Sequence, residues 1–115
     1  MPLPLDRLKG SIPPLLTPFR NGEVDYETYA CLVEFQIREG SHGILVNGTT
    51  SEPASLTTDE RNKLVDVAIE TTKGRVPVVA ATGSQSLWET KILTAHAARA
   101  GADALLIVTP YYTRP

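Results

Sequence analysis

Apolar residues along this 115-residue chain gather in four short, near-continuous runs: "SIPPLLTPF" (11–19), "GILVNG" (43–48), "VPVVAATG" (76–83) and "ADALLIVTP" (102–110). Unbroken runs of this length read as strands covered on both faces. Proline at 13, 14 and 77 falls at strand beginnings, where a missing N–H is tolerated. Between the runs the period changes to that of helices. The first helix opens at Asp25, carries Tyr29, Leu32, Val33 and Gln36 along one side, and stops before Gly40. In the second, Thr57 and Glu60 have capping-box spacing, Leu64, Val65, Ala68 and Ile69 form the stripe, and Gly74 supplies the stop. In the third, Ser86 and Glu89 repeat the box, Ile92, Leu93, Ala97 and Ala100 face inward, and Gly101 ends the segment.

Strand and helix alternate from end to end, which predicts an α/β fold of parallel strands joined by right-handed crossovers. Each unit is about thirty residues, the size of a βα module. Residues 1–10 read as an N-terminal arm and 11–115 as one domain, with no linker or low-complexity tract between them.

Composition narrows the function classes. Eleven basic residues against thirteen acidic ones leave a net charge of −2 and form no basic stretch, so nucleic acid is not an expected partner. No run approaches the length of a membrane span, and the N-terminus lacks the basic-then-apolar order of a secretory signal. The expectation is a soluble, cytoplasmic protein. Cys31, alone in the sequence, cannot form an intrachain disulfide and is read as a small buried hydrophobe.

The strand ends carry the chemistry. Each run closes on threonine, in "LLTPF", "LVNGTTSE", "VAATGSQS" and "IVTPYY", and two add glycine. In parallel α/β folds ligands are handled at the carboxyl ends of the strands. Hydroxyls and uncrowded glycine N–H groups suit a small carboxylate, which needs several donors within short reach. Threonine and glycine are also ordinary turn residues, so the pattern points to a site without specifying a reaction. No GxGxxG or GxxxxGK[ST] appears, which disfavours dinucleotide and P-loop nucleotide binding. His42 and His96 have no metal spacing and are read as structural. Glu52 could act as a base, but a role in tying the loop through backbone N–H groups is favoured.

Taken together, "GTTSE" (48–52) with "ASLTTDER", "GRVPVVAATG" (74–83), "VTPYYTRP" (108–115) and the opening "GSIPPLLTPF" closely resemble the dihydrodipicolinate synthase/N-acetylneuraminate lyase family over residues 10–115. The resemblance implies the first half of a (β/α)8 barrel. It also implies class I aldolase chemistry, in which a lysine forms a Schiff base with pyruvate and the adduct condenses with an aldehyde; in the synthase branch this is aspartate semialdehyde, on the way to lysine. No cofactor or metal beyond that lysine is implied. It belongs to the family's sixth strand, so the 115 residues, which reach only the loop after the fourth, are expected to be inactive alone.

By the same resemblance Thr49 relays protons and Thr50, with Gly48, holds the pyruvate carboxylate. Tyr112 reaches a neighbouring subunit to complete its relay, in a homotetramer. Gln85 and Glu89 correspond to the lysine-feedback site, where Thr58 and Arg61 replace histidines, so feedback is expected to be weak; Trp88 stands beside it, or anchors the core or an interface. Ser51 replaces the second glycine of the usual GTTGE, which suggests a slightly altered turn. Other pyruvate-dependent aldolases or hydratase-aldolases of the family share these motifs, and a non-catalytic carboxylate-binding or assembly module is the reading from a different class.

Overall fold

The computed structural model describes residues 5–112. After a 3-10 turn at Leu5–Arg7, an extended segment leads into β1 (Phe19–Arg20) and β2 (Glu23–Val24). Then come α1 (Tyr26–Arg38), β3 (Ile44–Val46), two 3-10 turns, α2 (Thr58–Thr72), β4 (Val78–Ala81), α3 (Leu87–Ala100) and β5 (Ala104–Leu106). The main sheet has the order β3-β4-β5 and is parallel throughout, with Ile44 opposite Val78 and Ala80 opposite Leu105.

The first apolar run does not form a full strand. It adds a fourth member to the sheet through a single parallel bridge, Pro14 to Leu45. The Leu45 N–H donates to the Pro13 carbonyl at 3.1 Å, and the Leu15 N–H donates to the Leu45 carbonyl at 3.3 Å. Pro13 and Pro14 have no N–H to give, so the ladder cannot lengthen there. The run's last residue, Phe19, belongs instead to an antiparallel hairpin with β2, which lies outside the main sheet. Its turn residues, Asn21 and Gly22, have φ of 54° and 81°. Two successive positive φ values are what a two-residue hairpin with the twist of its strands demands, and Asn-Gly is the pair best able to supply them.

The helices start where their caps place them. The Asp25 carboxylate accepts from the Thr28 N–H and hydroxyl at 3.0 and 2.7 Å, and those bonds hold its pKa below the usual carboxylate range. Thr57 and Glu60 form a full capping box. Ser86 forms half of one: its hydroxyl accepts from the Glu89 N–H, but the Glu89 carboxylate turns away to α2.

On α1 the inward stripe is Tyr29 and Val33, flanked by Tyr26 and Ile37. Cys31 is exposed, not buried as expected. It lies two residues from both Tyr29 and Val33, about 200° around the helix, and so faces away from the core. These side chains pack with Leu64, Val65 and Ala68 of α2 and Ala97 of α3 onto Ile44, Val46, Val78 and Ala80. Only this face of the sheet is covered among the described residues. Leu45 and Val79, on the other face, are half-buried, and Leu105, Leu106, Ile107 and Val108 are exposed. The runs were therefore apolar enough for two covered faces but have one.

At the amino ends of the strands the parts are tied by arginine. Arg75 makes a bidentate pair with Glu34 of α1 at 2.8 and 2.9 Å and donates to the Thr71 and Thr72 carbonyls that end α2. Arg7 of the arm donates to the Arg75 carbonyl. The two histidines are structural, as expected: the His42 ring accepts from the Ser11 N–H, and His96 meets Asp66 of α2 at 2.7 Å. Among the described residues, no helix is long and apolar enough to cross a membrane.

Candidate functional site

Because β3, β4 and β5 run parallel, their carboxyl ends emerge on one side of the sheet. After Val46 the chain turns sharply. Asn47 is buried with φ of 63°, a conformation asparagine tolerates better than most residues. Gly48 then passes so close to Leu45 that an added Cβ would sit 3.0 Å from its Cδ2. A 3-10 turn over Thr49–Ser51 follows, and Glu52 (φ 57°) starts the next, over Pro53–Ser55.

Ser51 is fully buried, and both its N–H and its hydroxyl donate to the Gly48 carbonyl, at 2.9 and 3.0 Å. The left-handed residue is Glu52, so serine at 51 carries no backbone penalty and the altered turn anticipated for it is not needed. The Glu52 side chain is exposed beside the site with no hydrogen bond to the loop; the loop is closed by the Glu52 N–H donating to the Thr49 carbonyl.

Gly48 and Thr49 open onto a cleft of about 600 Å³. Ala81 and Gly83 line it from the end of β4, and Leu106, Val108 and Tyr111 from the end of β5. Thr49 and Thr50 are both exposed, but only Thr49 lines the cleft. Tyr112 is fully exposed, with φ of 71°, and Tyr111 is the tyrosine that faces the cleft.

The threonines at the other strand ends are not all available. Thr17 is buried and donates to the Ser51 carbonyl, and Thr82 is buried against the Thr94 hydroxyl. These two brace the rim; they do not offer hydroxyls to a ligand.

Arg61, in the first turn of α2, is the charged residue at the centre of the arrangement. Only 3% exposed, it donates from Nη2 to the Ala81 and Gly83 carbonyls at 2.9 and 3.2 Å, while Nη1 lies 3.6 Å from Glu89. Burial pushes its pKa below the ordinary arginine value, and the Glu89 carboxylate opposes that shift. Its backbone carbonyl accepts from Asn47 Nδ2 at 2.9 Å.

Gln85 and Glu89 line a smaller, adjacent cleft of about 200 Å³, which shares Arg61 and Tyr111 with the first. Glu89 also accepts from the Thr58 hydroxyl. Trp88 is exposed, which excludes the core role considered for it. Lys9, Lys63, Lys73 and Lys91 are all exposed, and neither cleft is lined by any of them; Lys63 stacks over the Tyr26 ring. Among the described residues no cluster of His, Cys, Asp and Glu could hold a metal ion.

Sequence reasoning missed the roles of Asn47, Tyr111 and Arg61 here. A signal existed for Arg61: at 61, 64, 65 and 68 it continues the buried stripe of α2.

Residues 7–115 match the Dihydrodipicolinate synthetase family. The 4-hydroxy-tetrahydrodipicolinate synthase of Phenylobacterium zucineum is 50% identical over 107 residues, covering 93% of this chain but 36% of the relative. The chain thus spans just over a third of the curated relatives it matches. The crystal structure of dihydrodipicolinate synthase from Aquifex aeolicus superposes with a TM-score of 0.89 at 47% identity, over 92% of this chain and 36% of that one. A Clostridium difficile protein solved in complex with mannosamine superposes at 0.90 with 28% identity, over 94% and 38%.

Proposed function

Since the chain belongs to the dihydrodipicolinate synthetase family, whose solved members match it as the opening portion of their barrels, we propose that it is the keto-acid-gripping part of a pyruvate-dependent lyase of the 4-hydroxy-tetrahydrodipicolinate synthase type. The observation that carries this reading is the gathering of Gly48, Thr49, Gly83 and Tyr111 around one cleft at the carboxyl ends of parallel strands. Pyruvate is small and anionic, and Thr50 and Gly48 supply a hydroxyl and backbone N–H groups suited to its carboxylate. Thr49, on the cleft wall, passes a proton between the reacting centre and tyrosine. Tyr112, exposed at the end of the described chain, acts towards a second subunit of a homotetramer.

The carbon–carbon bond chemistry needs an amine within the cleft, and none of this chain's lysines lines it. A lysine from the rest of a barrel would supply it. Loss of water joins that amine to the keto carbon, and the resulting protonated imine accepts the electron pair left when the adjacent methyl loses a proton. That carbon then adds to the aldehyde, with aspartate semialdehyde the proposed partner, and the cytoplasm the proposed compartment.

The test joins residues 1–115 to the remainder of the Phenylobacterium zucineum synthase and treats the folded chimaera with pyruvate and borohydride. A pyruvate adduct is expected on the chimaera and none on residues 1–115 alone. A folded chimaera that is never labelled, or labelling of the 115 residues alone, overturns the reading.

For Gln85 and Glu89 the proposal is a regulatory cleft in which lysine inhibition is weak. Glu89 already faces the Arg61 guanidinium and the Thr58 hydroxyl, so a ligand ammonium would compete with a cation built into the fold. Titrating the active chimaera with lysine is expected to leave activity essentially unchanged below millimolar concentrations; half-inhibition in the submillimolar range contradicts it.

A further inference from the structure

We infer that Asn47 and Arg61 are positioning residues that bracket the Gly48–Glu52 loop and set its distance from the end of β4. Neither residue is assigned a role in keto-acid binding by the proposed function, on which this inference rests for its kinetic consequence. The bracket runs through two residues that are each at least 97% buried. Asn47 Nδ2 donates 2.9 Å to the Arg61 carbonyl, which fixes the last residue before Gly48 to the first turn of α2. The Arg61 guanidinium then reaches the opposite way, to the Ala81 and Gly83 carbonyls at 2.9 and 3.2 Å. One residue of α2 therefore holds the ends of β3 and β4 at once, and both ends line the cleft.

Packing alone does not explain the pair. Arg61 occupies a position on the buried stripe of α2 whose other members are Leu64, Val65, Ala68 and Thr72, none of them charged. An apolar residue there would avoid the desolvation of a guanidinium. Two polar atoms of the pair, Asn47 Oδ1 and Arg61 Nε, are buried with no partner among the described residues, and each such group costs stability. What the costly arrangement provides is directional: hydrogen bonds fix the angle and distance of a turn in a way that apolar contact does not. A loop that must present Gly48 and Thr50 donors to a carboxylate depends on that placement, because misaligned donors bind weakly.

Asn47→Gly is the informative variant. Glycine adopts φ of 63° without strain, so the change removes the side-chain bond and leaves the backbone path available. In the chimaera, amide exchange is read first, because it needs no substrate. The Ser51 and Glu52 amides, which close the 3-10 turn on Gly48 and Thr49, are expected to exchange about tenfold faster, while amides of β3 and α2 stay within about twofold. With pyruvate, KM is expected to rise about tenfold with kcat changed by no more than about threefold, as for a lost binding geometry.

Arg61→Lys keeps a cation but replaces the planar fork, of which Nη2 serves both carbonyls while Nη1 faces Glu89; partial recovery relative to Arg61→Met is expected in both readouts. Unchanged exchange at Ser51 and Glu52 in Asn47→Gly overturns the inference, as does equal loss across all amides. If the unsubstituted chimaera forms no pyruvate adduct, the functional reading fails, and the exchange result still decides the bracket.

Discussion

Gly83→Ala is expected to destabilise the fold by at least the ~1–3 kcal/mol typical of overpacking, and towards the upper end of that range. Glycine is needed at this site for space, since its φ lies outside the left-handed region. A Cβ there would fall 2.5 Å from the Val108 nitrogen, 2.7 Å from Val108 Cγ1 and 3.0 Å from the Val108 carbonyl oxygen. Two of those atoms are backbone and cannot rotate aside, so the chain after β4 and the chain after β5 must separate. The separation would be felt at once in the cleft, which both segments line, and at the Arg61 bond to the Gly83 carbonyl. Urea denaturation of the chimaera, compared with Gly74→Ala, distinguishes clash from backbone strain. At Gly74 nothing lies within 4 Å of the added carbon, so that variant reports only the left-handed backbone penalty. Equal midpoints for Gly83→Ala and the parent chain would refute the close approach of the two strand ends.

The second large effect concerns self-association. Residues 1–115 produced alone are expected to elute as dimers or larger species. Among the described residues β5 pairs only with β4, and Leu105, Leu106, Ile107 and Val108 are 39–53% exposed in an unbroken run. An apolar strand with one open edge is a template for another chain, and nothing in "ALLIVTP" guards it: no lysine, no bulge, and no proline before Pro110. The Ile107→Lys variant is expected to shift the distribution towards monomer, measured by light scattering across a concentration series. Monomeric behaviour of the unmodified 115 residues at high concentration would show that the edge is closed by something within the chain itself.

Much of the architecture was legible because local signals agreed with the fold. Asp25, Thr57 and Ser86 cap helices where their spacing placed them, and three of the four apolar runs became strands of one parallel sheet. The misreadings have specific causes. The first run failed as a strand because Pro13 and Pro14 cannot donate, although its apolar content was sufficient. The hairpin at Asn21–Gly22 went unpredicted, although Asn-Gly is a strong hairpin signal.

At the site, the sequence could place threonines at strand ends but could not say which way their hydroxyls point. Thr17 and Thr82 turned inward to brace neighbours, while Thr49 remained at the cleft. Such choices depend on contacts 12 to 34 residues apart, which periodicity does not encode. Glu89 is the clearest instance. Its N–H does what the capping box predicts, but its carboxylate is claimed by Thr58 and Arg61 of another helix.

The arginine tie at the far pole of the sheet separates two duties of the molecule. Arg75 and Glu34 lash the tail of one helix to the tail of the next, and Arg7 fastens the leading arm to the same knot. Because this fastening sits where the strands begin, fraying it would loosen the base while leaving the opposite rim's donors in place. The rim can therefore be remodelled for a different ligand without undoing what holds the base together.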